Sequence, residues 1–188
     1  MHRRRGEVCF TSIMGVLELQ VERIPTPIGP MLLVTDSDGN ARAVDWEDHE
    51  DRLQGLLRGY YRSHEILLSS ADRATDARAH VEAYFAGDLH AIDAIPVTMP
   101  GSAFQRQVWD ALRRIPVGTT MSYGDLATQL GRPDGMRAVG SANGSNPIGV
   151  IVPCHRVIGA DGSMTGYGSG IPRKKWLLEH EGVLLKLR

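Results

Sequence analysis

Between Asp93 and Ser102 the residues Pro96, Pro100 and Gly101 break every hydrophobic periodicity, so the chain divides there into two units, 14–98 and 99–188. In the first, Leu17–Ile24, Met31–Thr35 and Arg42–Trp46 read as short strands, with Asp38-Gly39 marking a hairpin turn. Asp48–Tyr61 and Ala74–Phe85 read as helices, the second closed by Gly87. Met14 makes a natural start for this unit, which leaves residues 1–13 as an N-terminal extension. Nothing in the first unit points to chemistry.

The second unit is mostly helical. Phe104, Val108, Leu112 and Ile115 share one helix face, and Pro116-Val117-Gly118 ends it. Ser122-Tyr123-Gly124-Asp125 has capping-box spacing, with Asp for the usual Glu, and opens a short helix to Leu130. After the stop at Gly131-Arg132-Pro133 a second short helix covers about Gly135–Gly144. Such a pair is either an ordinary helical hairpin or a helix-turn-helix. Gly149–Val152 reads as an apolar strand running into Pro153-Cys154-His155-Arg156, with Val157 and Ile158 continuing it. Pro172 sits in the first turn of a helix through His180, with Gly182 at its end. The fold class is therefore α+β: a small N-terminal sheet-plus-helix domain and a mostly helical C-terminal domain containing a candidate helix-turn-helix.

Hydrophobic residues at 42% and charged residues at 23% are ordinary for a globular protein, and 188 residues can bury a core without disulfides. Cys9 and Cys154 alone exclude a disulfide framework and a four-cysteine zinc site. No cluster has ligand spacing, so neither metal nor cofactor is expected. The longest apolar run, Pro147–Pro153, is too short to cross a bilayer. The basic start through Arg5 has no apolar segment after it, which argues for the cytoplasm. The first hundred residues carry 10 Lys+Arg against 16 Asp+Glu; the remainder carry 11 against 6. A basic second half suits a polyanion partner or simply a solvated face.

Cys154 is the reactive candidate. A thiol attacks as thiolate, and His155 or Arg156 beside it could stabilise that charge. The alternative is a small buried hydrophobe, the common fate of a lone cysteine.

Asn146-Pro147 followed by Val150-Ile151-Val152-Pro153-Cys154-His155-Arg156-Val157-Ile158-Gly159 resembles the signature of the O6-alkylguanine-DNA alkyltransferases, the methylated-DNA–protein-cysteine methyltransferases, and is most similar to their bacterial Ogt-like branch. The resemblance extends through Tyr123-Gly124, Arg137-Ala138-Val139-Gly140, Thr165-Gly166-Tyr167 and Trp176-Leu177-Leu178 to His180-Glu181-Gly182, and includes Thr26-Pro27-Ile28-Gly29-Pro30. It implies a direct-reversal repair enzyme, a monomer of two parts, that moves an alkyl group from O6-alkylguanine in double-stranded DNA onto Cys154, once. It implies a relay of Cys154, His155 and Glu181, with Asn146 tying the helix pair to the active-site segment. Tyr123 would contact the extruded base, Arg137 would fill the stack it leaves, and Tyr167 would wall the pocket. Ser169 stands where relatives commonly have glycine, and Asp134-Gly135-Met136 replaces smaller residues before Arg137, which bears on alkyl-size range and affinity. Two other readings compete: a lesion-binding relative that lacks the cysteine, disfavoured by Cys154, and a cysteine hydrolase, for which no oxyanion-hole signature is present.

Overall fold

The computed structural model describes residues 15–183; the extension over 1–13, with Cys9, lies outside them. β1 (Gly15–Ile24), β2 (Met31–Asp36) and β3 (Ala41–Trp46) form an antiparallel meander. Its second turn is set by Gly39 at φ 80° and by the Asp36 carboxylate, which accepts from the Asp38 and Asn40 amides. α1 (Glu50–Tyr60) then crosses the sheet, and β4 (His64–Ser70) joins β1 in parallel, giving the order β3-β2-β1-β4. β2 is buried along its whole length because both faces are covered. Leu32 and Val34 meet Leu53, Leu57 and Tyr61 of the α1 segment, while Met31 and Leu33 face the main core.

β4 has no counterpart in the sequence reading. His64–Ser70 is largely exposed and shows no alternation; its strand is fixed by the ladder to β1, a pairing across the chain rather than a local pattern.

α2 (Asp76–Phe85) covers the inner face of the sheet, capped by the Thr75 hydroxyl. α3 (Ala103–Arg113) follows the Pro/Gly break; Ser102 and Gln105 form a reciprocal capping box there. α4 (Tyr123–Gln129) and α5 (Met136–Gly144) pack on each other across residues 130–135, consistent with a helix-turn-helix. Before α4, Ser122 caps the Asp125 amide, but the Asp125 carboxylate bonds back only to the Ser122 hydroxyl. Aspartate is one methylene too short to close the box. β5 (Met121–Ser122) pairs in parallel with β6 (Val157–Ile158), and α6 (Ile171–His180) closes the described chain.

The buried cluster draws on both halves: Ile24, Met31, Trp46 and Tyr84 share it with Trp109, Val139, Val152 and Leu177. Trp109 pins the arrangement, donating from Nε1 to the Ala142 carbonyl at 2.8 Å and meeting Tyr60 edge-on.

Candidate active site

The expected strand over Gly149–Val152 is instead a buried coil. Only Ile148 bridges to β3, at Val44. Beyond it the Ile151 amide turns back to the Gly149 carbonyl and the Val152 amide to Ile148. Val150 sits at φ +69°, a left-handed conformation that costs a β-branched residue about 1–3 kcal/mol. An apolar run reads as a strand by composition, but here burial, not a ladder, is what its side chains satisfy. Asn146 holds this coil at both ends: its Oδ1 accepts from the Ile148 amide at 3.0 Å, and its Nδ2 donates to the Val152 carbonyl at 2.8 Å.

The coil delivers Cys154 to the first position of a 3₁₀ turn, Cys154–Arg156, at the floor of a narrow cleft. Val44, Arg52, Asn143, Asn146, Tyr167 and Ser169 line it. Burial pushes the thiol up, and Asn146, Lys174 and Arg52 offset part of that rise. The cations that favour the thiolate are thus Lys174 and Arg52, not the sequence neighbour Arg156, whose guanidinium is committed elsewhere.

Arg156 and His155 both turn to Glu181. Its Oε2 accepts from Arg156 Nε at 2.8 Å; Oε1 accepts from Arg156 Nη2, His155 Nε2 and the Tyr84 hydroxyl, each at 2.9 Å. Arg156 Nη1 donates to the Ile115 carbonyl. Desolvation would raise the Glu181 carboxyl, but the hydrogen bonds from His155 and Arg156, with the Arg156 charge, outweigh it and hold the group well below the usual carboxylate range. This network also answers the unfavourable dipole at the C-terminal end of α6. Burial pushes the His155 imidazole down, and Glu181 only partly restores it. The ring is therefore neutral, with Nε2 carrying the proton that Glu181 accepts. That leaves Nδ1 as the basic nitrogen, and it has no partner among the described residues.

Two members of this network escaped the sequence reading. Arg156 was noted only as a neighbour of the thiol, and Tyr84 belongs to the half that showed no chemical signal. No local pattern could have found Tyr84, which meets Glu181 only because α2 folds against the second half.

Of the remaining expected residues, Tyr123 opens α4 and donates to the Thr165 carbonyl at 3.3 Å; burial raises its phenol. Tyr167 is half-buried, edge-on to Trp46, and its hydroxyl has no partner among the described residues; neither does Asn143 Oδ1. Both atoms belong to residues of the cleft wall. Ser169 lies on the same wall and donates to Asp45. Arg137 stands apart, exposed in the first turn of α5 beside exposed Met136. Lys174, buried in α6, donates to the Val157 and Thr165 carbonyls, and desolvation lowers it to about 8. Among the described residues no group of His, Cys, Asp and Glu could hold a metal, and no helix is long and apolar enough to cross a membrane. A larger groove between α1 and β4, lined by Leu57, Tyr61, His64 and Ile66, contains no cysteine.

Fold and cleft define a class: an α+β protein presenting one buried thiol, backed by an Arg–Glu–His network, beside a pair of short helices. A family model described as "6-O-methylguanine DNA methyltransferase, DNA binding domain" matches residues 103–183. The methylated-DNA–protein-cysteine methyltransferase of Shigella flexneri is 50% identical over 170 residues, 90% of this chain and 99% of that one. Among solved structures, Mycobacterium tuberculosis OGT in complex with DNA matches at TM-score 0.69 and 36% identity, over 88% of this chain and 93% of that one. The O6-methylguanine-DNA methyltransferase of Pyrococcus kodakaraensis KOD1 matches at TM-score 0.69 and 28% identity, covering 88% and 99%. The chain belongs to the methylated-DNA–protein-cysteine methyltransferases.

Proposed function

We propose that this protein repairs DNA by direct reversal, moving the alkyl group of an O6-alkylguanine in duplex DNA onto Cys154. The observation that carries the reading is the thiol on the cleft floor next in the chain to a buried His155, whose Nε2 lies 2.9 Å from Glu181 Oε1 and whose Nδ1 has no partner among the described residues. The thiol proton passes by way of solvent to His155 Nδ1, and Lys174 and Arg52 favour the thiolate that remains. Sulfur attacks the alkyl carbon; a C–S bond forms, the C–O6 bond breaks, and its electron pair leaves with the base, which then takes up a proton. The unpartnered Tyr167 hydroxyl and Asn143 carbonyl oxygen supply polar contacts for the base edge. Tyr123 stands beside Asn143, and the exposed Arg137 enters the stack vacated by the base.

A thioether offers water no good leaving group, so each molecule acts once. No cofactor enters this chemistry. We place the protein in the cytoplasm as a monomer bound to DNA chiefly through phosphates, which suits a basic second half and an enzyme that must act irrespective of sequence.

The test is mass spectrometry after incubation with excess O6-methylguanine duplex. The expected result is a gain of one methylene on the peptide containing Cys154 and on no other. Cys154→Ala should still bind the lesion-bearing duplex and transfer nothing. Turnover beyond one equivalent would contradict single use, and an intact lesion bound to wild-type protein would contradict transfer.

A further inference from the structure

One wall of the cleft is held by the first half of the chain. Asp45, in β3, is fully buried. Its Oδ1 accepts the Ser169 hydroxyl at 2.6 Å and the Trp46 amide at 3.0 Å, and its Oδ2 takes Arg52 Nη1 at 2.5 Å. The Arg52 guanidinium lies against Gly168, over the space a Cβ there would need, and Nη2 reaches the Gly144 carbonyl at 3.4 Å. The other side of Ser169 is fastened too. Its carbonyl accepts from Arg173 Nη1 at 3.2 Å, and Arg173 is itself held by Asp48 and stacked on Trp46.

A buried carboxylate is costly unless its lone pairs are used, and Asp45 spends its own on one backbone amide, one cation and the hydroxyl of a cleft residue. The β-ladder does not need it, since Asp45 pairs with Leu32 through backbone alone. What the side chain adds is a fixed place for Ser169 and, through Arg52, for Gly168.

We infer that Asp45 is a positioning residue for base binding: with Arg52 it sets the Gly168-Ser169 wall, so that the extruded base meets a segment already held in place rather than a loop it must order. This rests on the function proposed above. Preformed walls improve binding by removing the ordering cost from the binding step. The hydrogen bond between Asp45 and Ser169 should therefore register in the concentration of base needed for saturation more than in the limiting rate.

The experiment is single-turnover methyl transfer from free O6-methylguanine base, followed as Cys154 methylation over a range of base concentrations, with thermal unfolding in parallel. Ser169→Ala leaves Asp45 with Arg52 and the Trp46 amide, so the protein stays folded. It should raise the half-saturating concentration about tenfold, the equilibrium factor of one hydrogen bond to a charged group, while the limiting rate changes by less than about twofold. Asp45→Ala, which also frees Arg52, should raise the half-saturating concentration at least as much, and the double variant no further than Asp45→Ala alone, because Ser169→Ala removes an interaction that Asp45→Ala has already lost. Unchanged saturation in Ser169→Ala, a loss confined to the limiting rate, or penalties that multiply in the double variant would overturn the inference. Should Asp45→Ala fail to fold, Ser169→Ala decides alone. A wild-type protein that takes no methyl group from base or duplex would instead overturn the proposed function.

Discussion

Replacing Glu181 by Gln removes one charge and one acceptor at a point where four donors converge. Whichever way the amide is placed, an N–H faces another. With the amide nitrogen at the Oε2 position it opposes Arg156 Nε at 2.8 Å; reversed, it opposes Arg156 Nη2, His155 Nε2 and the Tyr84 hydroxyl together. The first arrangement is the cheaper, and it leaves a buried Arg156 guanidinium without its counter-charge. Breaking a buried pair by removing one partner costs about 3–5 kcal/mol. For a chain of this length that lowers Tm by roughly 10 °C at pH 7. The pH dependence has a definite sign. The folded-state carboxyl lies well below its unfolded value of about 4.3, so the unfolded chain binds the proton first as pH falls. Stability from Glu181 is complete above the unfolded value and declines below it, by about 1.4 kcal/mol per pH unit. The variant has no such proton to take up, and the gap between the two proteins should narrow between pH 5 and pH 3, values chosen to span about one unit either side of the unfolded pKa. Denaturant unfolding at several pH values measures both effects. A loss below about 1 kcal/mol at pH 7, or a gap that does not shrink in acid, would refute the account of Glu181 as an ionised, four-donor centre. Methyl transfer in the same variant should fall by about a hundredfold, as for loss of a general base.

Arg137→Ala should slow repair of duplex DNA far more than reaction with free O6-methylguanine, because only the duplex requires extrusion; single-turnover rates on both substrates check this, and equal losses would remove Arg137 from the stack. Tyr84→Phe deletes one donor to Glu181 and should cost about 1.5–3 kcal/mol in denaturant unfolding, with a slower methyl transfer, whereas an unaltered rate would restrict Tyr84 to packing. Gly101→Ala would place its Cβ 2.5 Å from the buried Trp109 ring, and overpacking of this kind should lower stability by about 1–3 kcal/mol without touching the cleft; unfolding free energies equal to wild type would contradict the packing.

Much of the architecture was legible because it is encoded locally. The β2 run of apolar residues, the Asp38-Gly39 turn, the Pro172 helix start and the Ser122 cap each depend on neighbours within a few residues. The Pro-Cys-His-Arg segment marked the family and the thiol for the same reason. Where the local rule competes with burial, reading fails. Gly149–Val152 has a strand's composition but coils, because its side chains are buried on all sides and Asn146 satisfies the backbone that a ladder would otherwise pair. β4 has no strand's alternation but pairs with β1, because the crossover through α1 places it there.

The cleft divides along the same line. The sequence determined that a cysteine, a histidine and a glutamate of suitable chemistry lie in one half, and that an exposed arginine follows a tight turn between short helices. It could not determine their surroundings. Tyr84 reaches Glu181 across 97 positions, and Ser169 reaches Asp45 across 124. Such hydrogen bonds leave no mark on the residues around either partner. Only the tertiary structure decided that the acidic first half would donate to Glu181 through Tyr84 and build one wall of the cleft, because desolvation makes a buried carboxylate seek whatever donors the fold brings within reach.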